Sequence, residues 1–115
     1  MSPEARPPET QPLSPAQLFA ALGDETRLQL VDRLAGGKPQ SISTLSERTP
    51  LTRQAITKHL HVLESAGLVR GTRAGRERLY AFEPTALDAL QAYLERVSRH
   101  WDHALERLRG FVETN

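Results

Sequence analysis

The sequence predicts a mainly α domain carrying one small β-hairpin. Three observations point there. Apolar residues recur at helical spacing in five separate stretches, each opened by a capping residue or proline or closed by a stop signal. After Gly67 the pattern changes, and the short runs Leu68-Val69-Arg70 and Leu79-Tyr80-Ala81-Phe82 flank the glycine-containing segment GTRAGRER. Finally, 115 residues without a cysteine are enough for one modest core and rule out disulfides, thiolate zinc sites and cysteine nucleophiles.

Residues 1–13 hold Pro3, Pro7, Pro8 and Pro12 among polar residues, too little apolar surface to order themselves, so they are expected to form a disordered tail. Ser14 caps a first helix and Pro15 fits its first position; Leu18, Phe19 and Leu22 give one apolar face, and Gly23 ends it. Asp24 caps a second helix with the stripe Leu28, Leu30, Val31 and Leu34, stopped at Gly36-Gly37. Ser43 is read as the cap of a short third helix over about 44–48, followed by a break at Thr49-Pro50. Thr52 caps a fourth helix that runs to Ala66, with Ala55, Ile56, Leu60 and Leu63 on one face and Gly67 as its stop. Beyond the hairpin a last helix follows Pro84. The expected organisation is therefore a tail at 1–13, a compact unit at 14–83 and a long C-terminal helix at 84–115.

A short helix, a tight break and a second helix with an exposed polar face make a helix-turn-helix, and the hairpin beside it makes the arrangement a winged one. Opposite the apolar face of the fourth helix lie Thr52, Arg53, Gln54, Thr57, Lys58 and His61. Arg can grip guanine bidentately, Gln can pair with adenine, and Thr and Lys reach phosphates or bases. The N-terminal residues of such a helix enter the major groove first, so Arg53, Gln54 and Thr57 are the expected base readers. A merely solvated face would show the same residues, and the charge distribution separates the two. Residues 52–78 hold six Arg or Lys against Glu64 and Glu77, a local net of +4, while 1–51 sum to −1 and 79–115 to −2. The whole chain is only +1. Positive charge is thus confined to one helix-plus-hairpin unit, with Arg70, Arg73, Arg76 and Arg78 on the hairpin, where duplex phosphates would be neutralised.

The run LGDETRLQLVDRLAGG followed by LTRQAITKHLHVLESAGLVRGTRAGRERLYAFEP resembles the ArsR-type winged helix-turn-helix repressors, over about residues 15–112. The pieces KHLHVLESAGLV and GRERLYAF, in that order and spacing, are specific. The resemblance implies a dimer on an inverted repeat, the Thr52–Ala66 helix in the major groove, the 70–80 hairpin as wing, and repression relieved by a signal the sequence does not name; the lack of cysteine fits the expected cytoplasmic setting. One departure is Pro50, where the family's turn often holds glycine. Proline cannot take positive φ, so the turn must close differently.

The last helix has Leu87, Leu90, Leu94, Val97, Trp101, Ala104, Leu108 and Phe111 at alternating steps of three and four. A helix of ~28 residues is ~42 Å long, more than the domain's own core needs. The expected interface is this seam, through Leu90, Leu94, Val97, Trp101, Ala104 and Leu108, meeting a second copy together with Leu18 and Phe19 of the first helix. The first half of the seam would also pack on its own domain.

The resemblance extends to members without the usual metal motifs. Where metal-sensing members carry a Cys-x-Cys-type motif, this chain reads SISTLSERTP. Of the family's other site, on the last helix, His103 and Glu106 match the later half, but the earlier half falls near Leu90 and Ala92, which ligate nothing. His100, Asp102, His103 and Glu106 form a small polar cluster whose commoner explanation is a solvated face; a metal-responsive repressor using His103 and Glu106 is kept as an alternative, and no metal or cofactor is assigned. No nucleophile–base–orienter set and no phosphate-cradling glycine loop are present, which argues against an enzyme. No apolar stretch approaches membrane-spanning length, and the N-terminal residues lack the apolar core of a secretory signal. A winged helix serving only protein–protein contact remains a second alternative, which strong salt dependence of duplex binding would exclude. An RNA reader would need an aromatic stacking surface that the chain lacks.

Overall fold

The computed structural model describes residues 13–113, so the tail expected at 1–13 lies, up to residue 12, outside the described residues. Leu13 itself belongs to the folded part, because it packs against the core. The chain runs α1 (Pro15–Leu22), α2 (Glu25–Leu34), β1 (Gln40–Ser41), α3 (Ile42–Ser46), α4 (Arg53–Ala66), β2 (Val69–Ala74), β3 (Glu77–Phe82) and α5 (Pro84–Glu113). The strands form an antiparallel sheet in the order β1-β3-β2. Among the described residues no helix is long and apolar enough to cross a membrane.

Local chemistry sets most helix ends. The Ser14 hydroxyl accepts the Gln17 amide hydrogen, with Pro15 at the first helical position. The Asp24 carboxylate accepts from the Arg27 amide at 3.0 Å, and chiefly that bond holds its pKa below the usual value. Thr52 Oγ1 accepts from the Ala55 amide at 3.1 Å. The cap of α3 differs from expectation: it is Ser41, two residues earlier than Ser43, and α3 ends at Ser46. The reason is non-local. Gln40 and Ser41 pair with Tyr80 and Leu79, so the extended backbone a cap requires is imposed on Ser41 by β3.

The turn from α3 to α4 occupies residues 47–52 and uses no left-handed residue, which is how it accommodates Pro50. It is held from outside. Arg33 on α2 donates through Nη1 to the Leu45 carbonyl and through Nη2 to the Thr44 carbonyl at 2.9 Å, capping the end of α3.

Leu18, Leu34, Leu45, Ile56, Leu60, Leu63 and Leu68 are fully buried, drawn from every element around α4 and from the residue that enters β2. Three details depart from the sequence reading. Leu28, read as part of an apolar stripe, is 46% exposed, because α2 turns Leu30 and Leu34 inward. The hairpin strands extend to Ala74 and Glu77, leaving only Gly75-Arg76 as its tip, with Gly75 at φ 64°. Leu18 has no exposed surface and is a core residue, so it has nothing to offer a partner.

Gly67 closes α4 at φ 93°, and its amide reaches back to the Glu64 and Leu63 carbonyls. A Cβ there would also stand 2.6 Å from Leu13 Cδ2, a side-chain end that can yield. Gly67→Ala is therefore expected to lower stability by roughly 1–2 kcal/mol through left-handed backbone strain. Urea unfolding at fixed protein concentration checks it, and an unshifted midpoint would show that this corner relaxes freely.

Candidate nucleic-acid interface

α4 is buried along Ile56, Leu60 and Leu63 and exposed at Thr52, Arg53, Gln54, Thr57, Lys58 and His61, as its periodicity predicts. Its buried side is also pinned by polar contacts. Arg27 Nε donates to the Ala21 carbonyl at 2.7 Å, its Nη1 lies 3.4 Å from His59 Nδ1, and Asp24 Oδ2 lies 3.9 Å from the same ring nitrogen. The helix that presents the polar face is thereby tied to the α1–α2 corner.

Within that face the side chains divide. The Thr52 hydroxyl is engaged in capping, and Thr57 Oγ1 donates to the Arg53 carbonyl at 2.8 Å. Thr57 keeps accepting capacity but has given away its donor. Arg53, Gln54 and Lys58 make no side-chain hydrogen bond or ion pair with other described residues, so their donors are available to a ligand. With Ile42 of α3 and Thr57 they line a groove of about 510 Å³. The sequence did not place Ile42 there; its position follows from the shifted start of α3.

The four hairpin arginines, all exposed, also divide. Arg70 Nη2 is 2.9 Å from Glu83 Oε1, and Arg78 Nη2 is 3.1 Å from Glu64 Oε2. The Arg78 guanidinium lies 5.8 Å from the Tyr80 ring centroid; Tyr80 first and Glu64 next raise its already high pKa. Arg73 and Arg76 have no such partner among the described residues. Arg73 sits opposite Arg78 in the sheet, and Arg76 is in the two-residue turn. The hairpin's uncommitted positive charge is therefore concentrated towards its tip. Sequence reasoning gave all four equal standing because Glu64 and Glu83 come to the arginines only through the fold.

α5 packs on α1 through its first half. Ala86 is buried, Ala89 and Leu90 sit against the core, and Tyr93 meets Phe19 edge-on with ring centroids 5.6 Å apart. Leu94, Trp101, Leu105, Leu108, Phe111 and Val112 stay more than half exposed. His100, Asp102, His103 and Glu106 are exposed on the same helix, and among the described residues no three His, Asp or Glu side chains are grouped to hold a metal ion.

The helix-turn-helix domain family model matches residues 22–72, which contain α2, α3 and α4. The chain is 41% identical over 101 residues to the HTH-type transcriptional regulator Rv2034 of Mycobacterium tuberculosis, spanning 88% of this chain and 91% of that one. It is 29% identical over 70 residues to the transcriptional repressor SdpR of Bacillus subtilis, spanning 61% and 77%. A solved ArsR-like transcriptional regulator from Rhodococcus sp. RHA1 superposes with a TM-score of 0.74 at 40% identity, covering 84% of this chain and 91% of the other.

Proposed function

The chain belongs to the ArsR-type winged helix-turn-helix transcriptional regulators, a family of DNA-binding proteins and not of enzymes, and we propose that within it the protein acts as a homodimeric cytoplasmic repressor on an inverted-repeat operator. The observation that carries this reading is the set of donors without a partner among the described residues, Arg53, Gln54 and Lys58, on the exposed face of a helix whose opposite face is fully buried. A helix so anchored can present base-reading groups with little ordering cost.

The geometry supports the following roles. Arg53 and Gln54, in the first turn of α4, read base edges; Thr57 and Lys58 reach bases or phosphates; Thr52 and His61 flank them on the backbone. Arg73 and Arg76 of the wing neutralise phosphates beside the major-groove site. The exposed apolar side of α5, with Phe19 of α1, pairs with the same surface of a second copy. Two-fold pairing sets two α4 helices about one DNA turn apart, which is why the operator is an inverted repeat. Repression is supported by the likeness to SdpR, a transcriptional repressor.

The direct test is a fluorescence-anisotropy titration of the protein on the duplex upstream of its own gene, at two salt concentrations, against unrelated competitor DNA. Tight, competitor-resistant and salt-sensitive binding is expected. Absence of binding to any duplex at low salt would overturn the reading. In the same assay Arg73→Ala and Arg76→Ala are each expected to weaken binding to every duplex and to lower the salt slope by about one. An unchanged slope would remove that arginine from the phosphate contacts.

A further inference from the structure

One carboxylate oxygen joins the reading helix to both strands of the hairpin. Glu64 Oε2, on the last full turn of α4, accepts from the Gly71 amide of β2 at 3.2 Å and from Arg78 Nη2 of β3 at 3.1 Å. β2 is an outer strand, so amides turned away from β3 need another acceptor, and Glu64 supplies it at Gly71. A Cβ there would stand 2.7 Å from Arg78 Nε and 2.9 Å from Tyr80 Cε1, so a larger residue would have to displace these side chains. The bare backbone lets the Arg78 side chain lie across β2 to reach α4.

The remaining attachments of the hairpin are at its root and at Leu79 and Tyr80, where β3 pairs with Ser41 and Gln40 of β1. Leu68 donates to the Leu63 carbonyl and Glu83 to the Leu68 carbonyl, both at 2.9 Å, and the buried side chains are Val69 and Tyr80. Arg73, Ala74, Gly75 and Arg76 project beyond these points, all exposed. From Gly71 to the tip is ~13 Å of strand, so a swing of ~10° displaces the tip by ~2 Å, more than a hydrogen bond tolerates.

We infer that Glu64 is a positioning residue for DNA binding: it fixes the pitch of the β2–β3 wing against the reading helix, and Arg78 serves as its counter-ion instead of as a phosphate contact. This rests on the DNA-binding reading of α4 and the wing. It runs against simple charge counting. A glutamate inside a phosphate-binding unit repels DNA, so electrostatics alone makes its removal favourable. The positioning role makes its removal unfavourable.

The test is a salt series of anisotropy titrations on the full chain with Glu64→Ala, Glu64→Gln, Arg78→Ala, the Glu64→Ala/Arg78→Ala double variant and Arg73→Ala as the phosphate-contact reference. Glu64→Ala and Arg78→Ala are each expected to weaken binding roughly tenfold with the wild-type salt slope. The double variant is expected to be no weaker than either single, since both break one link. Glu64→Gln keeps an oxygen for both donors and should retain most of the affinity. Tighter or equal binding by Glu64→Ala, or a slope lowered by about one in Arg78→Ala with additive losses, would overturn the proposal. Hydrogen exchange at the Gly71 amide of the free protein gives a DNA-independent readout. It should accelerate several-fold in Glu64→Ala but not in Glu64→Gln, and an unchanged rate in Glu64→Ala would refute the link. If the wild-type protein bound no duplex, the DNA reading would fail in that same titration, while the exchange rates would still decide whether Glu64 holds the wing.

Discussion

Trp101→Asp is expected to leave the chain monomeric and to lower its affinity for a two-half-site duplex by ~100-fold or more. Trp101 is 64% exposed on the outer side of α5, between Leu94 and Leu108, which are 53% and 59% exposed. Burying the exposed part of one such indole removes ~150 Å² from water, or ~4 kcal/mol at ~25 cal/mol per Å². Two-fold pairing doubles the effect, because each protomer contributes its own copy. The substitution deletes that area and sets a carboxylate from each protomer in an apolar seam, where a charge without a partner is costly. Since Trp101 lies outside the core, the isolated fold should survive. Sedimentation velocity reads the oligomer and circular dichroism the fold. A variant that stays folded and still sediments as a dimer would refute α5 as the interface.

The second large effect is on sequence choice. Arg53→Ala and Gln54→Ala should each cost roughly 1–3 kcal/mol on the operator and much less on unrelated duplex, relaxing preference at particular base pairs. Neither side chain has a partner to lose among the described residues, so stability should hardly move. Titration against a panel of operators with single base-pair changes locates the position each one reads. Equal losses on every sequence would reassign both to the phosphate backbone, the role proposed for Arg73 and Arg76.

What the chain reveals without its fold depends on how local the deciding interaction is. Ser14, Asp24, Thr52 and Gly67 were readable because a cap is settled within three or four residues of itself. The cap of α3 was read at Ser43, and its place at Ser41 is decided by Leu79 and Tyr80, almost forty residues away. A strand of two residues carries no periodicity, so β1 left no signal. The polar face of α4 was legible in full because helical spacing alone defines it. The division of the hairpin arginines was not, since Glu64 and Arg78 are fourteen residues apart and meet only when the hairpin folds back. Periodicity found the apolar positions of α5 but could not say which belong to the chain's own core. Leu90 faces inward and Leu94 outward, and the same ambiguity placed the wholly buried Leu18 on the outside.

The strand order β1-β3-β2 has a consequence for the DNA itself. β3 is bonded on one side to the outer strand of the wing and on the other to Gln40 and Ser41, and Ser41 is the cap from which α3 starts. The hairpin is therefore braced against the helix-turn-helix at two places, through β1 to α3 and through Glu64 to α4. With Arg53 on bases and Arg76 on phosphates, as proposed, the distance between the two contacts is a fixed length, a ruler cut when the chain folds. Each added base pair lengthens the duplex by ~3.4 Å and turns it by a tenth of a revolution. A half-site with one pair inserted between those two contacts would be mismeasured, and the protein should have to give up one of them.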